Sequence, residues 1–314
     1  MVSCSRYSGT VRLDGKTAIV TGSNTGIGKF TALDFVKRGA RVIMACRSVE
    51  KAEAAAEQIR GATRDLKGAG AVDVVKLDLG SLTSVRQCAD QLLRAEQRVH
   101  LLVNNAGVMA CPQGKTEDGF ETHFGVNHLG HFLFTCLLLP RVIRSAPARI
   151  VTVSSKLHEN GNMNFDDLNL ENSYGPVKAY NQSKLANVLF SNELARRLEG
   201  TGVTTYSVHP GVVRTELGRH LNDTYFRGLR SILGGMGALF FKTAEDGAQT
   251  TIYCSLDEKL TNKTGLYYSE CREKAASRRA RDPEAAKKLW DLSAKMAGLG
   301  NWDPFTADDG ETPS

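Results

Sequence analysis

The sequence predicts an α/β protein: one domain, built on a doubly wound parallel sheet with helices on both faces. Three observations predict it. Six short runs rich in β-branched and aliphatic residues recur along the chain, at 16–21, 41–46, 72–77, 100–104, 149–154 and 204–209. Each is followed by a stretch long enough for one helix, and strands separated by helical crossovers must pair in parallel. A glycine-rich turn also stands between the first run and its helix, at the sheet edge where open α/β proteins bind ligands.

Composition agrees and narrows the function classes. Of 314 residues, 41% are hydrophobic and 24% charged, enough for a sizeable core and far from a disordered composition. The net charge of +6 suits an anionic small ligand or an acidic membrane surface, and no basic arm for nucleic acid is present. Seven cysteines, at 4, 46, 88, 111, 136, 254 and 271, form no CxxC pair, so neither a disulfide framework nor a zinc site is encoded. A reducing, intracellular setting follows, cytoplasmic or on the cytosolic face of the endoplasmic reticulum. The first 13 residues are polar, and no membrane span is expected.

The elements follow in order. Residues 16–21 form a strand, 22–28 the glycine turn, and 29–38 a helix closed by Gly39. Residues 41–46 are a second buried strand, and the Ala- and Glu-rich 49–60 a second helix, which completes a βαβ unit. Strand 72–77, helix 81–94 and strand 100–104 continue the alternation, followed by a long helix over 123–143. Strand 149–154, helix 180–198 and strand 204–209 come next. The Asn- and Asp-rich 157–177 is read as a surface excursion. The 217–241 segment, with Gly234, Gly235 and Gly237, reads as a partly apolar lid. Asp282 and Pro283 start a last helix over 284–297. This gives an N-terminal extension at 1–13, one domain at 14–298 and a frayed tail at 299–314.

Gly22, Gly26 and Gly28 sit where backbone amides and a helix dipole can meet a pyrophosphate. Tyr180 and Lys184 lie four residues apart, so a helix puts phenol and ammonium on one face. The expected consequence is a tyrosine pKa lowered toward working pH by the nearby cation, as a general acid/base needs. His128 and His131 also share a helix face near His123. With no carboxylate in a ligand pattern they imply no metal, and they are read as helix-surface or interface residues.

The spacing Thr21-Gly-x-x-x-Gly-x-Gly28 resembles the signature of short-chain dehydrogenases/reductases, a Rossmann-type family. The rest of that family's pattern stands in order: Asn104-Asn-Ala-Gly107, Asn127, Ser155, Tyr180 with Lys184, and Pro210-Gly211. The resemblance implies that Gly22, Ser23, Asn24, Gly26, Ile27 and Gly28 hold a dinucleotide. It adds Asp78 and Leu79 at the adenine, then Asn105, Ala106, Gly107, Pro210, Gly211, Val213 and Thr215, with Tyr180 and Lys184 at the nicotinamide ribose. Ser155, or second to it Ser154, would hold a substrate carbonyl oxygen, and Asn127 a water beside the lysine. The second strand ends Ala45-Cys46-Arg47. No carboxylate is there to grip a 2′-hydroxyl, and Arg47 can pair with a 2′-phosphate, so the expected cofactor is NADP(H).

Longer stretches, including residues 119–132, 183–190 and 208–215, are similar to the NADP-preferring retinol dehydrogenase branch, types 11 to 14. That implies hydride exchange between NADPH and a lipophilic aldehyde, most simply retinal. The runner-up is a broad carbonyl or steroid reductase. A reading of another class is an NADP-binding sensor or scaffold that has lost turnover. Members of the branch carry an apolar N-terminal anchor, and this sequence starts where such an anchor would end. Peripheral membrane contact through 232–241 or the basic 274–288, and self-association, are therefore both open.

Overall fold

The computed structural model describes residues 5–213 and 242–310, together with Pro313. The expected sheet is present. Its strands are β1 (Thr17–Thr21), β2 (Arg41–Cys46), β3 (Val72–Lys76), β4 (Leu101–Asn104), β5 (Ala148–Val153), β6 (Val203–His209), β7 (Leu266–Ser269) and β8 (Arg272–Lys274). Their order across the sheet is β3-β2-β1-β4-β5-β6-β7-β8. All neighbours pair in parallel except β7 and β8. The order reverses between β1 and β4, which opens a crevice at their carboxyl ends.

Side-chain alternation along the strands feeds two separate cores. Ala18, Val20, Val42, Met44 and Val103 face α1 (Gly26–Lys37) and α2 (Val49–Thr63), where Phe35, Val36, Ala56 and Ile59 meet them. Ile19, Ile43, Leu102 and Ile150 face the other way, toward α3 (Leu82–Ala95), α5 (Gly130–Arg144) and α6 (Pro176–Arg197). Ser48 and Ser81 cap α2 and α3 by accepting from the amides of Lys51 and Ser84.

The long helix expected over 123–143 is not uniform. A short α4 (Thr122–Phe124) runs into a π-turn, Gly125–Leu129, before α5 begins. The stretch Thr122–Arg144 is long and apolar enough to cross a membrane by length and composition, but its apolar window is 89% buried inside the protein. Every residue from Gly130 to Val142 is buried. His123, His128 and His131 are accordingly core residues, at 0%, 1% and 1% exposure, and not the surface or interface histidines expected.

Three elements carried no sequence expectation: α7 (Ala244–Leu256), β7 and β8. Thr243 caps α7 at the Asp246 amide and donates its hydroxyl to the Asp246 carboxylate. Helix α7 packs beside α1, placing Ala248 and Ile252 in the first core. Strand β8 closes the sheet as a short, exposed edge of Arg272, Glu273 and Lys274, whose charges oppose further strand pairing.

The last helix, α8 (Pro283–Met296), starts as expected, with the Asp282 carboxylate accepting from the amides of Glu284 and Ala285. The described tail beyond α8 is docked as far as Asp309, and not frayed as expected there. Trp302 and Phe305 pack on the second core, and Phe305 meets Trp290 with ring centroids 5.7 Å apart. The buried Asp309 carboxylate accepts from both Arg141 and Arg144 at 2.6 Å. The 157–177 excursion is likewise pinned, since Leu168 and Leu170 are buried and Gln182 of α6 bonds the Asn164 amide and the Leu168 carbonyl.

Candidate active site

The cleft at the carboxyl ends of the strands has a volume of about 300 Å³. Its first wall is backbone. Gly22 leaves β1 at φ 64° and Gly26 enters α1 at φ 58°, conformations that favour glycine. A Cβ on Gly22 would lie 2.8 Å from Ala106, and one on Gly28 would lie 2.5 Å from the Asn105 amide nitrogen. The turn is thus packed directly against the 104–107 segment, with the α1 N-terminus open to the cleft. An anionic diphosphate fits such a cradle.

Of the residues expected here, Gly22, Asn24, Gly26, Ile27, Gly28, Arg47, Asp78, Leu79, Asn105, Ala106, Gly107, Pro210, Gly211 and Val213 line the cleft. Ser23 does not; it is fully buried, donating to the Val20 carbonyl at 2.9 Å. Thr215 and the 217–241 lid lie outside the described residues. Of the described residues on either side, Val213 lines the cleft and pairs with Lys242.

Arg47 is exposed at the cleft and forms no ion pair among the described residues. Ser48 and Lys51 at the start of α2 line the same end. Asp78 is the single carboxylate among the described lining residues, and it accepts from the Gly80 amide at 3.0 Å, shaping the turn into α3.

The opposite wall carries Ser155, Tyr180 and Lys184. Ser155 stands two residues beyond the end of β5, while α6 presents Tyr180 and Lys184 one turn apart. Pro176 starts α6 four residues earlier than expected. Ser154 spends its hydroxyl on the Lys184 carbonyl at 2.7 Å, whereas the Ser155 hydroxyl accepts from the Leu157 amide at 3.2 Å and acts on the Tyr180 phenol to favour its ionised form. That geometry selects Ser155 of the two serines. The Lys184 ammonium donates to the Val153 carbonyl at 3.1 Å and sits 5.6 Å from the centre of the Tyr180 ring.

The expected downward shift of the tyrosine is not what this wall produces. Burial pushes the Tyr180 phenol up to about 12, against a smaller lowering effect of Ser155, and burial lowers Lys184 to about 8. Desolvation is the leading cause of both shifts because both groups lie inside the protein.

Asn127 lies behind the cleft, not in its wall. Its side-chain oxygen accepts from the Val108 amide at 2.8 Å, and its nitrogen donates to the Val108 carbonyl and to Ser183 Oγ, both at 3.0 Å. Ser183 in turn donates to the Tyr180 carbonyl at 2.8 Å. The side chain therefore braces the cleft floor against the tyrosine helix. His209 lines the cleft and went unnoticed in the sequence; burial lowers its pKa to about 4, and its Nδ1 has no hydrogen-bond partner among the described residues. Its place beside Pro210-Gly211 was the one available signal.

Residues 16–225 match the short chain dehydrogenase family. The chain belongs to that family. It is 52% identical over 289 residues to human (Homo sapiens) retinol dehydrogenase 12, covering 92% of this chain and 88% of that protein. Human retinol dehydrogenase 14 is 48% identical, with 91% and 88% covered. Among solved structures, an uncharacterised protein from Mycobacterium paratuberculosis superposes with a TM-score of 0.72 at 37% identity, over 92% of this chain and 95% of that one. This short-chain dehydrogenase is an oxidoreductase related to the retinol dehydrogenases, in a family that uses NAD or NADP.

Proposed function

We propose that the chain is an NADPH-dependent reductase of lipophilic aldehydes, interconverting retinal and retinol or a close analogue. The observation that carries this is the convergence of Ser155, Tyr180 and Lys184 on the cleft that holds the glycine turn. A binding scaffold has no need of a buried phenol grouped with a serine and a lysine in one cleft.

Arg47, Ser48, Lys51 and Asn24 form the end of the cleft that would hold the adenosine 2′-phosphate, with Asp78 the single carboxylate among the described lining residues. Gly22 to Gly28 would hold the diphosphate, and Tyr180 and Lys184 the nicotinamide ribose. The bound dinucleotide supplies the hydride. The Ser155 hydroxyl orients the substrate carbonyl oxygen toward Tyr180. With its pKa raised, Tyr180 is protonated at neutral pH and can deliver the proton to that oxygen. The Lys184 cation then stabilises the phenolate left behind.

An apolar substrate is in keeping with exposed apolar side chains close in sequence to the cleft residues. Leu157, Val177 and Val212 are exposed at 37%, 51% and 60%, and each stands within three residues of Ser155, Tyr180 or Gly211. Burying about 200–300 Å² of a polyene at ~25 cal/mol per Å² would contribute roughly 5–7 kcal/mol before association costs.

Following NADPH oxidation with retinal, a steroid ketone and a stepwise-shortened aldehyde series tests both levels. Efficiency should fall steeply with chain length. A flat profile removes the retinoid reading in favour of a broad carbonyl reductase; no turnover with any carbonyl removes the enzyme reading.

A further inference from the structure

His131 lies one helical turn beyond Asn127 and is 1% exposed. Its Nδ1 is 3.0 Å from the Asn127 main-chain oxygen, and its Nε2 is 2.8 Å from Thr21 Oγ1. A carbonyl oxygen can only accept, so Nδ1 carries the proton. Burial lowers the imidazole pKa to about 4, and the nearby Lys184 cation adds to the effect, so the ring is neutral and Nε2 is an acceptor. The Thr21 hydroxyl therefore donates to Nε2. The other acceptor within reach, the Val103 carbonyl, is 3.4 Å away.

With its single proton committed, Thr21 Oγ1 has two lone pairs left. They receive the amides of Asn105 and Ala106, both at 2.9 Å. This assignment satisfies the hydroxyl and both ring nitrogens together. It also bears on the cleft, because Ala106 is the residue against which Gly22 packs, and the Asn105 side chain donates to the Thr21 carbonyl at 2.8 Å.

We propose that His131 is a positioning residue: by accepting the Thr21 proton it turns that hydroxyl onto the Asn105 and Ala106 amides and ties the cleft floor to the Asn127 turn. The effect on cofactor affinity rests on reading this cleft as the dinucleotide pocket, but the tautomer does not. An imidazole that only filled space in the core would show no preference between its two nitrogens.

Two measurements test it. The first is ¹⁵N NMR of the histidine side chains in the full, unmutated chain, which carries no risk of misfolding. His131 should show a protonated Nδ1 and a bare Nε2 throughout roughly pH 5–9, where an ordinary imidazole titrates. A protonated Nε2, or titration near the ordinary value, overturns the proposal. The second is a double-mutant cycle on the NADPH dissociation constant. His131→Asn keeps a donor near Asn127 but removes the distant acceptor, and Thr21→Val removes the hydroxyl. Each should weaken NADPH about five- to tenfold, with the double variant no worse than Thr21→Val alone, and His131→Gln should recover most of the loss. Effects that multiply in the double variant overturn it. Absence of NADPH binding by the unmutated chain would instead sink the cofactor reading and leave the tautomer result to decide this one.

Discussion

The two walls of the cleft are made of different material. On the β1 side the working groups are backbone: an amide turn at Gly22 to Gly28, pressed on Ala106 and Asn105 with no room for a Cβ. On the β5 side they are side chains, Ser155, Tyr180 and Lys184, held by hydrogen bonds to the Val153 carbonyl and through Ser183 to Asn127. A wall of backbone is sensitive to added volume and indifferent to which polar groups lie nearby. A wall of side chains tolerates isosteric change in shape but loses its chemistry with a single atom.

The sharpest test of that difference removes one atom from the side-chain wall. Tyr180→Phe keeps the ring against His123 and loses the transferable proton. Turnover should fall by roughly 10²–10⁴, while NADPH affinity stays within a few fold. Turnover near that of the unmutated enzyme would mean that another group supplies the proton.

Lys184→Met probes the same wall through stability. The ammonium is depressed to about 8 in the folded chain from 10.5. Between those values the unfolded chain still binds a proton that the folded chain has released, so the folded state gains stability as pH rises from about 8 to 10.5 and loses it as pH falls back through 8. The stability difference between the unmutated protein and the Met variant should shift across this window in favour of the former, by on the order of 3 kcal/mol at most. Chemical denaturation at three pH values measures it. A difference independent of pH would show that Lys184 stays fully charged throughout.

Legibility in the sequence divided along the same line. The glycine turn, the 104–107 segment and the Tyr180–Lys184 pair are local patterns, readable because neighbours in sequence are neighbours in space. The protonation states were not readable, because helical spacing places Lys184 beside Tyr180 but says nothing of how deeply both are buried. The three histidines of 123–131 were misplaced for the same reason. Polar residues at helical spacing read as an outer face, yet α5 is covered on every side. Helix α7, strands β7 and β8 and the docked tail depend on partners far along the chain, as when Asp309 meets Arg141, and no local signal announces such contacts.

The backbone wall is tested by volume. Gly22→Val places a β-branched side chain at φ 64° and within 2.8 Å of Ala106. The strain and overpacking together amount to about 2–4 kcal/mol. NADPH affinity should drop about a hundredfold, while any residual turnover at saturating cofactor keeps the pH profile of the unmutated enzyme. An altered profile would mean that the two walls are not separable.

The smallest effect is expected where the walls differ least, at the adenosine end, where a side chain joins the backbone cradle. Arg47 is exposed at the cleft and forms no ion pair among the described residues, so its guanidinium is available to a 2′-phosphate and contributes little to the fold. Arg47→Asp replaces that cation with an acceptor suited to a ribose 2′-hydroxyl and should move preference from NADPH toward NADH. One charge-assisted contact of this kind is worth about 1.5–3 kcal/mol, or roughly ten- to a hundredfold in the ratio of kcat/KM for the two cofactors. Lys51 lines the same end of the cleft and sets the size of the remainder. If the ratio hardly moves in Arg47→Asp but collapses when Lys51→Ala is added, the phosphate is read by the first turn of α2. The side-chain contribution at the adenosine end then rests on Lys51 and not on Arg47.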